Sequence, residues 1–128
     1  MAYTQSMPNS LPVILIIEPD RPTLELYSRA LSQEYRLLAA STEQLVLELL
    51  KAENPQAVIL EPAGLGERGW LLITAIKNAS GNRRLPIIVC SILDDRQRGL
   101  EMGAAVCLVK PVFPTVLQQV LTRLAQDT

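Results

Sequence analysis

Residues 57–61 read Ala57-Val58-Ile59-Leu60-Glu61. An unbroken apolar run of this length, rich in β-branched side chains, suits a strand buried on both faces. The carboxylate closing the run then falls at the strand's C-terminal tip, where open α/β sheets carry their chemistry. Similar runs occur at Val13–Ile17, Ile87–Cys90 and Ala105–Val109, with a weaker one at Tyr35–Ala40. Between them lie segments of helical period. Leu24, Tyr27 and Leu31 share one face, as do Val46, Leu49 and Leu50, and Leu72, Ala75 and Ile76. Phe113, Val116, Leu117, Val120, Leu121 and Leu124 repeat the pattern at the end.

Local signals agree with this division. Pro22 and Pro114 fit first helical turns, Gly103 fits a helix stop, and Ser41 with Gln44 forms a capping-box pattern. Five strand–helix units in alternation predict a doubly wound α/β domain, with a parallel sheet, right-handed crossovers and helices on both faces. Residues 1–11 read as a flexible arm and residues 12–128 as the domain.

Composition narrows the function. The chain has 128 residues, 48% of them hydrophobic, a mean hydropathy of +0.20 and a net charge of −1. Such a chain can bury a core, and no apolar run approaches the length of a membrane span. The near-neutral charge argues against broad binding to nucleic acid or to acidic membranes. Met1–Ser10 lacks the basic and apolar regions of a signal peptide, so a cytoplasmic location is expected. Histidine is absent, which removes the commonest general base and metal ligand. Cys90 and Cys107 fit buried small hydrophobes better than a redox pair.

Chemistry is therefore sought at the strand tips. The first strand ends in Glu18-Pro19-Asp20. With Glu61, its two carboxylates are weak candidates for a hard divalent cation bound through oxygen. The plainer reading has Asp20 capping the next helix and Glu18 solvated. Ser91 follows the fourth strand and could donate to a phosphoryl oxygen. Lys110 follows the fifth and can reach across the tips to a carboxylate or phosphate, with Pro111 offering a cis bond to aim it. Gly64, Gly66 and Gly69 meet no phosphate-loop pattern and read as a flexible loop, with Trp70 as a partly buried anchor for the helix beyond.

In order and spacing these segments resemble the receiver domain of bacterial response regulators, the chemotaxis-regulator type, over residues 12–126. The stretches that carry the resemblance are Val13 to Asp20, Leu85 to Ser91, and Arg98 to Ala105 running into Lys110-Pro111. The resemblance implies a flavodoxin-like (βα)5 fold with strand order 2-1-3-4-5. It implies phosphoryl transfer from a histidine kinase to an aspartate after the third strand, with Mg²⁺ held by an acidic pair after the first. The acceptor position falls on Glu61, the phosphate-sensing hydroxyl on Ser91 and the family's lysine on Lys110. Gly69 falls on the glycine that opens the third helix.

This sequence departs from that pattern in three ways. Glu61 is longer than aspartate by one methylene, about 1.5 Å. Misplacement on that scale can cost about a hundredfold in rate. Pro19 takes the second place of the acidic pair, which argues against Mg²⁺, and no other cofactor is expected. Cys107 stands where receivers generally keep a switch aromatic. The expectation is an atypical, stand-alone receiver in two-component (phosphorelay) signalling, not an enzyme, acting by protein–protein interaction without conventional aspartyl phosphorylation. Its partner would act in trans, whether a histidine kinase, another regulator or itself as a homodimer. The resemblance implies docking through the face of the fourth helix, fifth strand and fifth helix. The alternatives are a flavodoxin-like domain binding a small molecule or cofactor, or a receiver that is still phosphorylatable.

Overall fold

The computed structural model describes residues 11–81 and 83–126, so the proposed arm lies almost wholly outside them. Five parallel strands form one sheet in the order β2-β1-β3-β4-β5. They are β1 (Val13–Ile17), β2 (Arg36–Ala39), β3 (Ala57–Leu60), β4 (Ile87–Ser91) and β5 (Val106–Val109). The helices are α1 (Arg21–Leu31), α2 (Glu43–Glu53), α3 (Glu67–Ser80), α4 (Arg96–Glu101) and α5 (Pro114–Gln126). A 3-10 turn, Pro62–Leu65, joins β3 to α3. Every apolar run becomes a strand within a residue or two of its expected bounds.

The alternation of side chains along each strand divides the core in two. Leu15, Ile17, Val58, Leu60, Ile87 and Val89 pack with Val46 and Leu50 of α2 and with Trp70, Leu72, Ile73 and Ile76 of α3. From the other face Ile14, Ile16, Ile59, Ile88 and Cys90 meet Tyr27 and Leu31 of α1 and Leu117 and Leu121 of α5. Both faces of β1, β3 and β4 are buried, which explains why those strands read as unbroken apolar runs.

Several local expectations are corrected. Thr42, not Ser41, caps α2, its hydroxyl accepting from Leu45 N at 3.1 Å. Phe113 fits the helical period of α5 but precedes the helix and is 69% exposed. The glycine-containing segment, expected as a loop, is largely helical. It is the 3-10 turn and the start of α3, and Trp70 is buried there at 6% exposure.

Candidate functional site

Parallel pairing sets the strand tips side by side. Glu61 N donates to Ile17 O at 2.8 Å, and Lys110 N donates to Ser91 O at 2.7 Å. The residues leaving β1, β3, β4 and β5 therefore emerge as neighbours along one edge. The Lys110–Pro111 bond is cis.

Lys110 crosses to the carboxylates at the other tips. Its Nζ lies 2.7 Å from Glu18 Oε1 and 3.0 Å from Glu61 Oε1. The contact with Glu18 is a charge-assisted hydrogen bond. The approach to Glu61 is close enough for an ion pair but falls short of hydrogen-bond alignment, leaving Glu61 Oε1 without a hydrogen-bond partner. The outer oxygens bond to backbone: Glu18 Oε2 accepts from Asp20 N at 3.0 Å, and Glu61 Oε2 from Ala63 N at 3.2 Å. Both carboxylates are buried, Glu61 at 2% exposure. Burial opposes the charge on Lys110, yet its contacts with Glu18 and Glu61 outweigh that and hold its pKa above the ordinary lysine range.

The expectation of a solvated Glu18 is therefore wrong, because Lys110 compensates its charge inside the protein. Asp20 behaves as the capping reading requires. Its carboxylate accepts from Thr23 N at 3.1 Å and from the Thr23 hydroxyl, and these bonds hold its pKa below the usual value. Asp20 is thus committed to the helix start while Glu18 and Glu61 share the lysine. Among the described residues, no group of three or more His, Cys, Asp or Glu side chains is arranged to hold a metal ion. An octahedral Mg²⁺ requires oxygens converging on a common centre. Here an ammonium stands between the two buried carboxylates, the third carboxylate turns away, and Pro19 has no side-chain donor.

Ser91 is buried beside this cluster, but its hydroxyl donates to Asp95 Oδ2 at 3.2 Å. Asp95 was not singled out from the sequence. An acidic pair ahead of a short helix was the available signal, though Asp95 makes no side-chain cap bond. Cys107 is half-buried on β5, and its thiol points to the Asp95 carbonyl at 3.9 Å. Arg96 and Arg98 are exposed and ion-paired, Arg96 with Asp94 at 2.7 Å and Arg98 with Glu67 at 3.0 Å.

The family model described as the response regulator receiver domain matches residues 14–122. The chain belongs to this family. Transcriptional regulatory protein HprR of Escherichia coli is 31% identical to this receiver over 115 residues, covering 88% of the chain and 52% of that protein. A probable cyclic di-GMP phosphodiesterase of Vibrio cholerae is 30% identical over 115 residues, 87% of this chain and 26% of that protein. The receiver therefore spans about half of one curated relative and about a quarter of the other. The N-terminal signal receiver domain of a Bacteroides fragilis response regulator has 25% identity and a TM-score of 0.79, over 91% of this chain and 98% of that one. The flavodoxin-like strand order is thus the receiver order, as the resemblance implied. Among the described residues no helix is long and apolar enough to cross a membrane.

Proposed function

We propose that this receiver is an atypical one, signalling in a two-component pathway through contacts with a protein partner and without an aspartyl phosphorylation cycle. The observation that carries the reading is the Lys110 ammonium, set between Glu18 and Glu61 at 2.7 and 3.0 Å. Glu61, at the acceptor-equivalent position, lies 2% exposed and paired, so an incoming phosphoryl donor would have to displace the lysine first. Ser91, the sensor-equivalent hydroxyl, is engaged with Asp95. The cation on which receivers depend would find its room taken by the lysine and Pro19 in place of a ligand. Mg²⁺ therefore has no part in this reading, and neither does enzymatic turnover.

The surface supports an output through protein contact. Ile92, Leu93, Leu100 and Val109 are exposed apolar side chains on or beside α4 and β5, and Phe113 stands out ahead of α5. Scattered exposed apolar residues are normal; several along one edge favour a partner surface. That edge belongs to the α4–β5–α5 face, and the partner is a kinase, another regulator or a second copy of the chain.

The test is incubation with acetyl phosphate and Mg²⁺ followed by intact-mass measurement. The expected mass is unchanged, and stoichiometric addition of one phosphoryl group would overturn the reading.

A further inference from the structure

Helix α4 has six residues, too few to persist without tertiary support. Two separate contacts supply it. On its inner side Gly99 rests on β5, where a methyl group at residue 99 would fall 1.9 Å from Cys107 Sγ. Only glycine facing a small side chain lets the helix come so near. From α3, the Trp70 ring takes the Arg98 guanidinium at 4.4 Å from its centre, while Arg98 Nη2 reaches Glu67 Oε1 at 3.0 Å. Trp70 is buried, so α3 offers the arginine a fixed platform.

We propose that the Gly99–Cys107 seat and the Arg98–Trp70–Glu67 clasp hold α4 in one position, whatever the charge in the strand-tip pocket. That this edge is the output face rests on the proposed function; the clamp itself does not. A packed element moves between discrete arrangements only where a side chain can vacate or fill a space for it. Cys107 has one heavy atom beyond Cβ, and that atom already touches the helix. The polar groups between pocket and helix are already paired with one another. Ser91 donates to the Asp95 carboxylate, while the Asp95 carbonyl accepts from Gly99 N at 2.9 Å and from the Cys107 thiol. The face presented to a partner is then permanently formed, and signalling depends on the amount and location of the protein rather than on its chemical state.

The test compares amide NMR shifts and hydrogen exchange in the wild type, Glu61→Gln, Arg98→Met and Cys107→Phe. Glu61→Gln removes the pocket charge at nearly constant shape. Its expected shift changes stay around residues 18, 61 and 110, with exchange at residues 97–101 unaltered. Movement of α4 signals in this variant would overturn the proposal, even if the wild type still refused a phosphoryl group. Arg98→Met is expected to raise exchange at residues 97–101 about tenfold, the size of a cation–π contact and ion pair together, with core protection retained. Unchanged exchange there would show that no clasp exists. Cys107→Phe is expected to shift signals across residues 96–103 in a folded protein, and an undisturbed α4 would show that the seat is not tight. Should Cys107→Phe fail to fold, the ring has not been accommodated and the tight seat is upheld.

Discussion

Glu18 Oε1 and Lys110 Nζ stand 2.7 Å apart across the ends of β1 and β5, although the two residues are 92 positions apart in the chain. Strand order explains the meeting. β3 and β4 lie between β1 and β5, and the lysine must pass over both strand ends, making its contact with Glu61 on the way. One long cation is thus shared by two carboxylates buried at different tips. Removing it leaves both exposed to the full penalty of an unpaired buried charge. Lys110→Met is therefore expected to destabilise the fold by about 3 kcal/mol. Glu18→Gln, which leaves a carboxylate on the lysine, should cost about 1 kcal/mol. Urea unfolding with an unchanged slope would check both, and equal losses would show that the cluster does not share its charge as described.

The same cluster sets the behaviour at high pH. Lys110 titrates above its ordinary 10.5 in the folded protein. Its contribution is fully present below the unfolded-chain value and is lost as pH rises through the folded one. Stability should therefore fall more steeply above about pH 10.5 in the wild type than in Lys110→Met. Thermal melts of the two proteins in alkaline buffers measure this, and parallel curves would rule it out.

The fold was legible because buried parallel strands leave a simple mark. Apolar runs cannot tolerate a polar face when both sides of the sheet are covered, and β1, β3 and β4 show it directly. Glu61, Ser91 and Lys110 were legible for a related reason, each being the first polar residue past such a run. What the sequence hid was pairing. Nothing local says that Lys110 would reach Glu18, that Ser91 would turn to Asp95, or that Gly99 would seat on Cys107. These contacts depend on strand order and on helix approach, which act at long range in the chain. Phe113 shows the opposite failure: its spacing fits α5, but the helix starts one residue later and the ring faces solvent.

Restoring the acceptor alone should not restore chemistry. Glu61→Asp shortens the side chain, yet Lys110 keeps Glu18 and Pro19 still supplies no cation ligand. Under acetyl phosphate and Mg²⁺, Glu61→Asp is expected to show less than about a tenth of the labelling of a Pro19→Asp/Glu61→Asp double variant, because the missing donor misplaces the reacting groups. Intact mass reads the ratio. Comparable labelling of the two would mean that Pro19 is not an obstacle.

Cys90 gives a probe of the core beneath the site. It is 1% exposed, and burial drives its thiol pKa up to about 12, with nearby Lys110 only partly offsetting this. Burial also raises the pKa of Cys107, reinforced by the carboxylates of Asp95 and Asp94. Thiolates are the reactive species, so neither cysteine should react quickly with a thiol reagent near neutral pH. Labelling kinetics in rising urea should show Cys90 modified only with global unfolding. Rapid modification of Cys90 in native buffer would expose an opening of β4 that the packing does not provide.

The turn that follows Glu61 is packed tightly against the start of α3. Gly69, in the first turn of α3, lies so close to the 3-10 turn that a methyl group there would fall 1.9 Å from the Pro62 carbonyl oxygen. The obstacle is backbone, so no side-chain rotation relieves it. Pro62 follows Glu61 directly, and Ala63 in the same turn donates its N–H to Glu61 Oε2 at 3.2 Å. A Gly69→Ala protein must therefore push the turn outward or lift the start of α3, at a cost of about 3 kcal/mol, near the upper end for overpacking. Displacing the turn also weakens the bond that orients Glu61. Amide shifts should move at Ala63 as well as at residues 67–70, which chemical denaturation with NMR on the same variant would detect. Full stability together with an unmoved Ala63 signal would show that the contact between turn and helix is looser than its geometry requires.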